Sequence, residues 1–196
     1  QAGYSNTTGG MTAIGYLALS SATVAQWNTA VGNQALTATT GYGNTALGHA
    51  AGLANTSAQY NVFVGYESGS AFNGTGDTYN TFIGTGSGKA VTTGTNNTLI
   101  GGLAGDAITT ASNNVAVGFN ALTANTTAGY NVAFGTNTLA GNTTGSENAV
   151  FGGAAALANT TGTGLTGAGY TALRFNTTGN YNTALGDAAL YSNTTA

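Results

Sequence analysis

The chain has 196 residues, of which only two are basic and five are acidic, so its formal net charge at pH 7 is −3. An average protein carries roughly a quarter charged residues, and this shortage leaves few groups for catalysis and no basic patch for nucleic acid or anionic lipid. Cysteine and proline are absent but glycine occurs 33 times, which excludes disulfides and thiolate metal sites and keeps backbone N–H donors available for a continuous ladder of strands. No apolar run reaches the ~20 residues of a membrane-spanning helix.

A repeat of about 17 residues runs through the chain, and each copy contains a stretch similar to Asn-Thr-Ala-Leu-Gly that closes on what we call the marker glycine. The eleven marker glycines are Gly15, Gly32, Gly48, Gly65, Gly84, Gly101, Gly118, Gly135, Gly152, Gly169 and Gly186. Their spacings are 17, 16, 17 and 19 residues and then 17 six times. The copies leave no room for a second domain, so we predict one repeat domain over residues 1–196. Residues 1–9 read as the tail of a further copy and the last copy stops in mid-repeat, which predicts a segment of a longer array.

Two apolar columns precede the marker glycine. The residue directly before it is apolar in every copy, as at Ile14, Val31 and Phe134, and we predict that this column lies in the core. The residue before that is Ala in six copies and Phe63, Phe82 or another small or apolar residue in the rest. Because side chains alternate along a strand, the two columns point to opposite faces. Both faces of the strand therefore need cover.

The remainder of each copy is a small column, mostly Ala, three residues after the marker, followed by a loop of Asn, Thr and Gly. Without a 3.6-residue period, a repeat this short excludes a helix pair and favours β-structure. We therefore predict an all-β fold: a parallel β-solenoid of about eleven 17-residue coils. Two short strands are expected in each coil, with successive coils about 4.8 Å apart.

Stacked coils account for the missing charges, since a charge kept in every coil would repel its copies ~5 Å away. Lys89 and Asp106 are 17 residues apart, and we predict a surface ion pair between their coils. An Asn column at the start of the strands is expected to form a ladder in which stacked amides satisfy one another. Its members are Asn28, Asn44, Asn61, Asn80, Asn97, Asn114, Asn131, Asn148 and Asn182.

Nine asparagines stand in the sequence Asn-x-Ser/Thr, the acceptor motif for N-linked glycans. They are Asn6, Asn55, Asn73, Asn96, Asn125, Asn142, Asn159, Asn176 and Asn193. Seven of the nine share one place in the repeat, seven residues after a marker position, which predicts a row of outward loops. Two interpretations are open: a row of glycans along one edge, or turn chemistry, in which Asn tolerates left-handed backbone and Thr bonds local backbone groups.

Several segments resemble the head repeats of trimeric autotransporter adhesins, the YadA-like family. Residues 182–189 (NTALGDAA) and 114–121 (NVAVGFNA) follow that family's pattern Ser/Asn-Val/Thr-Ala-Ile/Leu-Gly-x-x-Ala, and the whole array is similar to NTALG arrays of phage tail fibres and bacterial fibre proteins. The resemblance covers essentially the entire chain, although the repeats here are longer. It implies a left-handed parallel β-roll that assembles as a trimer on a cell or virion surface. A filament of rolls stacked end to end is the alternative.

We therefore expect a structural or adhesive extracellular fibre, homo-oligomeric, without catalytic activity, cofactor or bound metal. A surface glycan or receptor is its expected partner, whereas nucleic acid and membrane insertion are not expected. The alternative is a module whose regular face binds ice or polysaccharide. Against ice, the Thr pair of the loop follows a turn Asn and is not expected to form a strict ladder. For polysaccharide, exposed Trp and Tyr before the strands offer a sugar-stacking edge, with corner packing as the competing explanation.

Other local motifs carry little chemistry. The stretch 84–90 (GTGSGKA) lacks the first Gly and the final Ser/Thr of a phosphate loop. His49 has no acidic or hydroxyl partner that repeats with it, and Asp77 and Asp106 are too isolated for a calcium cage. The irregular 19-residue coil bulges around residues 73–77, and if the chain has a specific binding patch, that is where we expect it first.

Overall fold

The computed structural model describes residues 1–5, 7 and 9–195, and over this part the chain is an all-β solenoid. The strands, each of three residues, are β1 Thr12–Ile14, β2 Thr29–Val31, β3 Thr45–Leu47, β4 Ser57–Gln59, β5 Val62–Val64, β6 Thr75–Asp77, β7 Thr81–Ile83, β8 Thr98–Ile100, β9 Val115–Val117, β10 Val132–Phe134, β11 Ala149–Phe151, β12 Thr166–Ala168 and β13 Thr183–Leu185. Eleven of them form one sheet in the order β1-β2-β3-β5-β7-β8-β9-β10-β11-β12-β13, and β4 pairs with β6. Every pairing among the described strands is parallel.

The register of the long sheet follows the marker glycines and confirms the repeat. Equivalent residues of neighbouring coils lie side by side, as Ala116 does with Ala133. The 19-residue interval keeps this register, because Phe63 still pairs with Phe82. Its two extra residues are absorbed on another side of the coil, where β6 forms and pairs with β4.

The column directly before the marker lies on the outer face, so its assignment to the core is wrong. Ile14 is 59% exposed and Phe134 is 52% exposed. The middle strand residues are buried instead, fully at Ala116 and Ala133 and only partly at Ala13 in the first strand. Because side chains alternate along a strand, the first and third residues of each three-residue strand point to one face, here the outer one, and the middle residue points to the other. The core column is therefore the middle residue of each strand.

The rest of each regular coil is a chain of turns, so the prediction of two strands per coil is also wrong. The residues two and four positions after the marker have positive φ, for example 57° at Leu17 and 49° at Leu19, which no strand accommodates. Ala18 N donates to Gly15 O at 3.4 Å, and Ser20 N donates to Leu17 O at 3.3 Å. These bonds span three residues, so the coil closes through successive β-turns.

Large and small side chains complement one another in the core. The middle residue Ala116 of β9 is accompanied by Leu122 in its own coil, and both are buried. In the coil of β7 the middle residue is Phe82, and the position equivalent to Leu122 is Gly88. A Cβ on Gly88 would lie 2.8 Å from the Phe82 ring. Where the middle strand residue is large, the residue four positions after the marker is small, and the reverse holds in most other coils. The two positions together thus fill the interior, as close packing requires.

Candidate functional site

The Asn column at the strand starts is a ladder, as predicted, and eight of its members are buried, whereas Asn182 at the last strand is partly exposed. Its main partners are backbone groups. Asn114 N donates to Asn97 Oδ1 at 3.0 Å, and Asn97 Nδ2 donates to Ala111 O at 2.9 Å. Amide-to-amide bonds add to this, as between Asn148 Nδ2 and Asn131 Oδ1 at 3.0 Å. Each amide therefore joins two coils and satisfies buried backbone groups.

A second Asn ladder occupies the position assigned above to outward loops, and that assignment is wrong for five of the nine glycan candidates. Those five side chains are fully buried: Asn55, Asn125, Asn142, Asn159 and Asn176. Asn159 Nδ2 donates both to Asn142 Oδ1 at 2.8 Å and to Gly162 O at 3.0 Å. An amide without exposed surface, with both donors engaged, has no room for a sugar in the folded coil.

The remaining glycan candidates differ from one another. Asn73 and Asn96 are exposed, and glycosylation there stays a prediction. Asn193 is partly exposed and continues the second ladder, since its Nδ2 donates to Asn176 Oδ1 at 3.0 Å. Asn6 lies outside the described residues.

The two ladders meet inside the turn. Gly162 O accepts a hydrogen bond from Asn148 Nδ2 of the first ladder and one from Asn159 Nδ2 of the second, each at 3.0 Å. Ala58 O likewise accepts from Asn44 Nδ2 at 2.9 Å and from Asn55 Nδ2 at 3.3 Å. Because a buried carbonyl has two lone pairs, one loop carbonyl can serve both columns. These ladders are structural parts of the core corner.

Threonine does form a ladder, against the expectation stated above. The residue eight positions after the marker donates its hydroxyl to the backbone carbonyl of the next coil, as Thr143 Oγ1 does to Thr160 O at 2.9 Å and Thr160 Oγ1 to Thr177 O at 3.0 Å. The following column is exposed in six successive coils: Thr93, Thr110, Thr127, Thr144, Thr161 and Thr178. The loop thus presents a regular row of hydroxyl groups to solvent.

The outer sheet face, which we define as the first and third residues of the eleven strands in the long sheet, is uncharged; its third residues are all apolar, whereas seven of its eleven first residues are Thr. It bears Thr, Val, Ala, Ile, Leu and Phe, and Leu47, Phe134 and Phe151 are about half exposed. No other element of the described residues covers it. At ~4.8 Å per strand the face extends about 50 Å, and with strands about 10 Å long it amounts to on the order of 500 Å². Exposed apolar patches of this size are often functional.

A second exposed feature is a row of four aromatic rings on successive coils, Trp27, Tyr42, Tyr60 and Tyr79, which we call the aromatic ridge. Ring centroids are 6.1 Å apart for Trp27 and Tyr42, 5.9 Å for Tyr42 and Tyr60, and 5.4 Å for Tyr60 and Tyr79. The first two pairs meet at 84°, whereas the last two rings are almost parallel at 6°. Each ring is at least 37% exposed.

The charged groups do not pair as predicted. Lys89 Nζ lies 2.5 Å from Glu67 Oε2, and Asp106 accepts a hydrogen bond from Thr123 Oγ1 at 2.5 Å instead. Hydrogen bonding to Lys89 lowers the pKa of Glu67, and the same bond raises the pKa of Lys89. His49 stacks on Tyr66 with centroids 5.2 Å apart. Within the described part of the chain, no group of three His, Asp or Glu residues is placed to hold a metal ion.

Comparison of the chain with protein-family models, with curated proteins and with solved structures finds no match. The described residues contain no helix long and apolar enough to cross a membrane. Candidate functions therefore rest on three surfaces of the solenoid itself: the outer sheet face, the exposed Thr row and the aromatic ridge.

Proposed function

We propose that the chain is a structural segment of an extracellular fibre that self-associates through its outer sheet face. The observation that carries this proposal is that face: free of charge, lined by a continuous apolar column of third strand residues, and uncovered over eleven strands of the described chain. Because every coil repeats the same outward columns, a second copy presents a surface of matching length and chemistry. No charged partner is required, as the face offers no charge to pair.

The area supports assembly with further copies. Stable interfaces bury roughly 800 Å² on each partner, and the outer sheet face supplies on the order of 500 Å². Exposed aromatic residues directly after the marker glycines flank it, among them Tyr16, Tyr66, Phe119 and Tyr170. Extended over these rings, the face approaches the size of a stable interface.

A fibre role also agrees with the interior. Buried ladders of Asn and a partly exposed ladder of Thr fix each coil to the next, so that the stack has few ways to bend. Attachment to a cell or virion surface, the trimer and the left-handed roll follow from the resemblance to adhesin heads and stay predictions.

Ice binding is a second candidate, favoured by the exposed Thr row. Six threonines in successive coils repeat at the strand spacing of ~4.8 Å, which is a regular array of hydroxyl groups for ordering water. The neighbouring Thr ladder is less available, because hydroxyls such as that of Thr143 already donate to a backbone carbonyl.

One pair of variants tests both candidates. Val117→Glu places a charge on the outer sheet face, and Thr127→Glu places the same charge on the exposed Thr row. For the fibre, sedimentation at micromolar concentration should show an oligomer in the wild type and in Thr127→Glu but monomer in Val117→Glu. A monomeric wild type contradicts the proposal. For ice binding, thermal hysteresis should be present in the wild type and lost in Thr127→Glu alone.

A further inference from the structure

We infer that the aromatic ridge is a binding site for a neutral, extended polysaccharide that lies along the stack of coils. This inference does not depend on self-association, because the ridge and the outer sheet face share no residue. Its basis is the arrangement of Trp27, Tyr42, Tyr60 and Tyr79, their exposure and the charges around them.

The ridge is continuous because a residue from a neighbouring column fills a gap. Trp27, Tyr60 and Tyr79 occupy one position of the repeat, five residues before the marker, where the intervening coil has Gly43. Tyr42, directly before that glycine, closes the interval and meets both neighbouring rings at 84°. The Tyr60 ring lies against Gly43, where a Cβ would be 2.8 Å from Tyr60 Cδ1.

The irregular coil aligns the other end of the ridge. Gln59 ends β4 just before Tyr60, and Asp77 ends β6 two residues before Tyr79. Pairing of β4 with β6 sets Gln59 beside Asp77, and the two rings that follow are nearly parallel, with centroids 5.4 Å apart. The two extra residues of this coil are therefore accommodated by a local sheet, after which two exposed rings stack on each other.

The ligand class follows from shape and charge. Aromatic faces attract the polarised C–H groups on the flat side of a pyranose ring, and tyrosine hydroxyls bond its O–H groups. An exposed ring on each of four successive coils offers contacts along the direction of the stack, which favours an extended chain of sugars over a helical one. The described chain has no cation at the ridge, and Asp77, which accepts a hydrogen bond from Tyr79 Oη at 3.1 Å, is its carboxylate. A neutral glycan is therefore favoured over an acidic one.

The chain supplies its own controls. Tyr130 and Tyr181 stand at the same repeat position as Tyr60, with φ of 61° and 57° against 60°, and both are exposed. Neither belongs to a row of rings in the described structure. Asn occupies this position at Asn96 and Asn113, also with positive φ, so a change from Tyr to Asn removes the ring without straining the backbone.

The test uses cellohexaose as the extended neutral probe, with maltohexaose as a helical counter-probe and an oligogalacturonate as an acidic one. Trp27 is the single tryptophan of the chain, so its fluorescence reports contact directly, and calorimetry gives the affinity. We expect binding of cellohexaose in preference to the other two. Tyr60→Asn should weaken it about tenfold, whereas Tyr130→Asn and Tyr181→Asn leave it unchanged.

Tyr42→Ala provides a second ring deletion at a position without positive φ, and it should weaken binding similarly if Tyr60→Asn does not fold. Far-ultraviolet circular dichroism establishes that each variant is folded. Absence of binding by the wild type at millimolar cellohexaose overturns the inference. So does an equal loss in Tyr130→Asn. A change of sedimentation in Tyr60→Asn without any glycan binding would assign the ridge to self-contact and would equally overturn it.

Discussion

The marker glycines set the distance between coils, and Gly118→Ala is the sharpest test of that role. Gly118 has φ of +137°, and a Cβ there would lie 2.5 Å from Gly135 O and 2.6 Å from Gly135 C in the next coil. These atoms belong to the backbone, so no side chain can rotate away to relieve the contact. The substitution must either move two coils apart or shift the strand ends.

The expected cost has two parts. Holding an L-residue at this φ costs about 1–3 kcal/mol. Moving the coils apart weakens the backbone bonds on either side, from Gly118 N to Ile100 O and from Gly135 N to Val117 O, each 2.8 Å long and each contributing about 1 kcal/mol net. We expect Gly118→Ala to lower the free energy of unfolding by about 4 kcal/mol.

The marker glycines of the two end coils distinguish the cost of positive φ from the cost of contact between coils, because only one of them faces the backbone of a following coil. At Gly186 φ is +119° and nothing lies within 4 Å of the added Cβ, whereas at Gly15 the Cβ would be 2.6 Å from Gly32 O. Urea unfolding followed by circular dichroism should therefore rank the losses Gly118→Ala, Gly15→Ala and Gly186→Ala, with the last near 2 kcal/mol or about the cost of φ alone. Equal losses for Gly15→Ala and Gly186→Ala would refute the role of inter-coil contact.

Three further predictions concern the core, the first Asn ladder and the ion pair. Phe82→Ala should lower the free energy of unfolding by about 3–5 kcal/mol, and Gly88→Leu should also destabilise because the new side chain clashes with the Phe82 ring. The double variant copies the Ala and Leu arrangement of other coils, so a double-mutant cycle followed by urea unfolding should show that it recovers most of the loss. Additive losses would contradict size complementarity in the core. Asn97→Asp buries a charge and removes a hydrogen-bond donor, so it should lower the free energy of unfolding by at least about 3 kcal/mol. The control Asn96→Asp, on the exposed neighbouring residue, should change it by less than about 0.5 kcal/mol. Similar losses in the two variants would place Asn97 outside the ladder. Folding lowers the pKa of Glu67 from 4.5, so the ionised Glu67 side chain stabilises the fold above that pH, and this stabilisation is lost as the pH falls through the folded pKa. Glu67→Gln should therefore make the urea midpoint decline less steeply in acid. An unchanged decline would assign the acid sensitivity to other carboxylates.

The β-solenoid and the register of its strands could be predicted because both follow from the repeat length. Constant spacing between marker glycines gives the register, and the pairing of Phe63 with Phe82 across the 19-residue coil follows from it. The side of the sheet that faces inward could not be read in the same way. Both columns before the marker are apolar, so the alternation of polar and apolar residues that normally identifies the core face is missing.

The second Asn ladder had a signal in the sequence that the acceptor motif obscured. The repeat position of Asn55 and Asn125 holds Phe72, Val91 and Ile108 in three successive coils, and all five side chains are buried. A position that accepts large apolar residues in neighbouring coils faces the interior, and an Asn there must find partners inside the turn. Reading the column down the repeat, instead of the motif along the chain, identifies these side chains as structural.

Other features depend on contacts between different columns, which no single spacing reveals. Lys89 lies five residues after its marker and Glu67 two residues after its own, so their pairing joins neighbouring coils diagonally. The aromatic ridge has the same origin, since Tyr42 enters it from an adjacent column. Such contacts require the actual path of the turns, and that path uses left-handed residues such as Leu17 that propensity alone would not place there.

The uncovered outer face follows from the size of the coil. Seventeen residues with one three-residue strand enclose an interior that takes only the middle side chain of each strand, so the other two columns have nothing of their own chain to pack against. Charged residues on those columns could keep a single solenoid soluble, but the chain uses Thr, Val, Ile and Phe there instead. Under the self-association that we propose, the same shortage of charge that lets the coils stack also lets two copies pack against each other without unpaired charges.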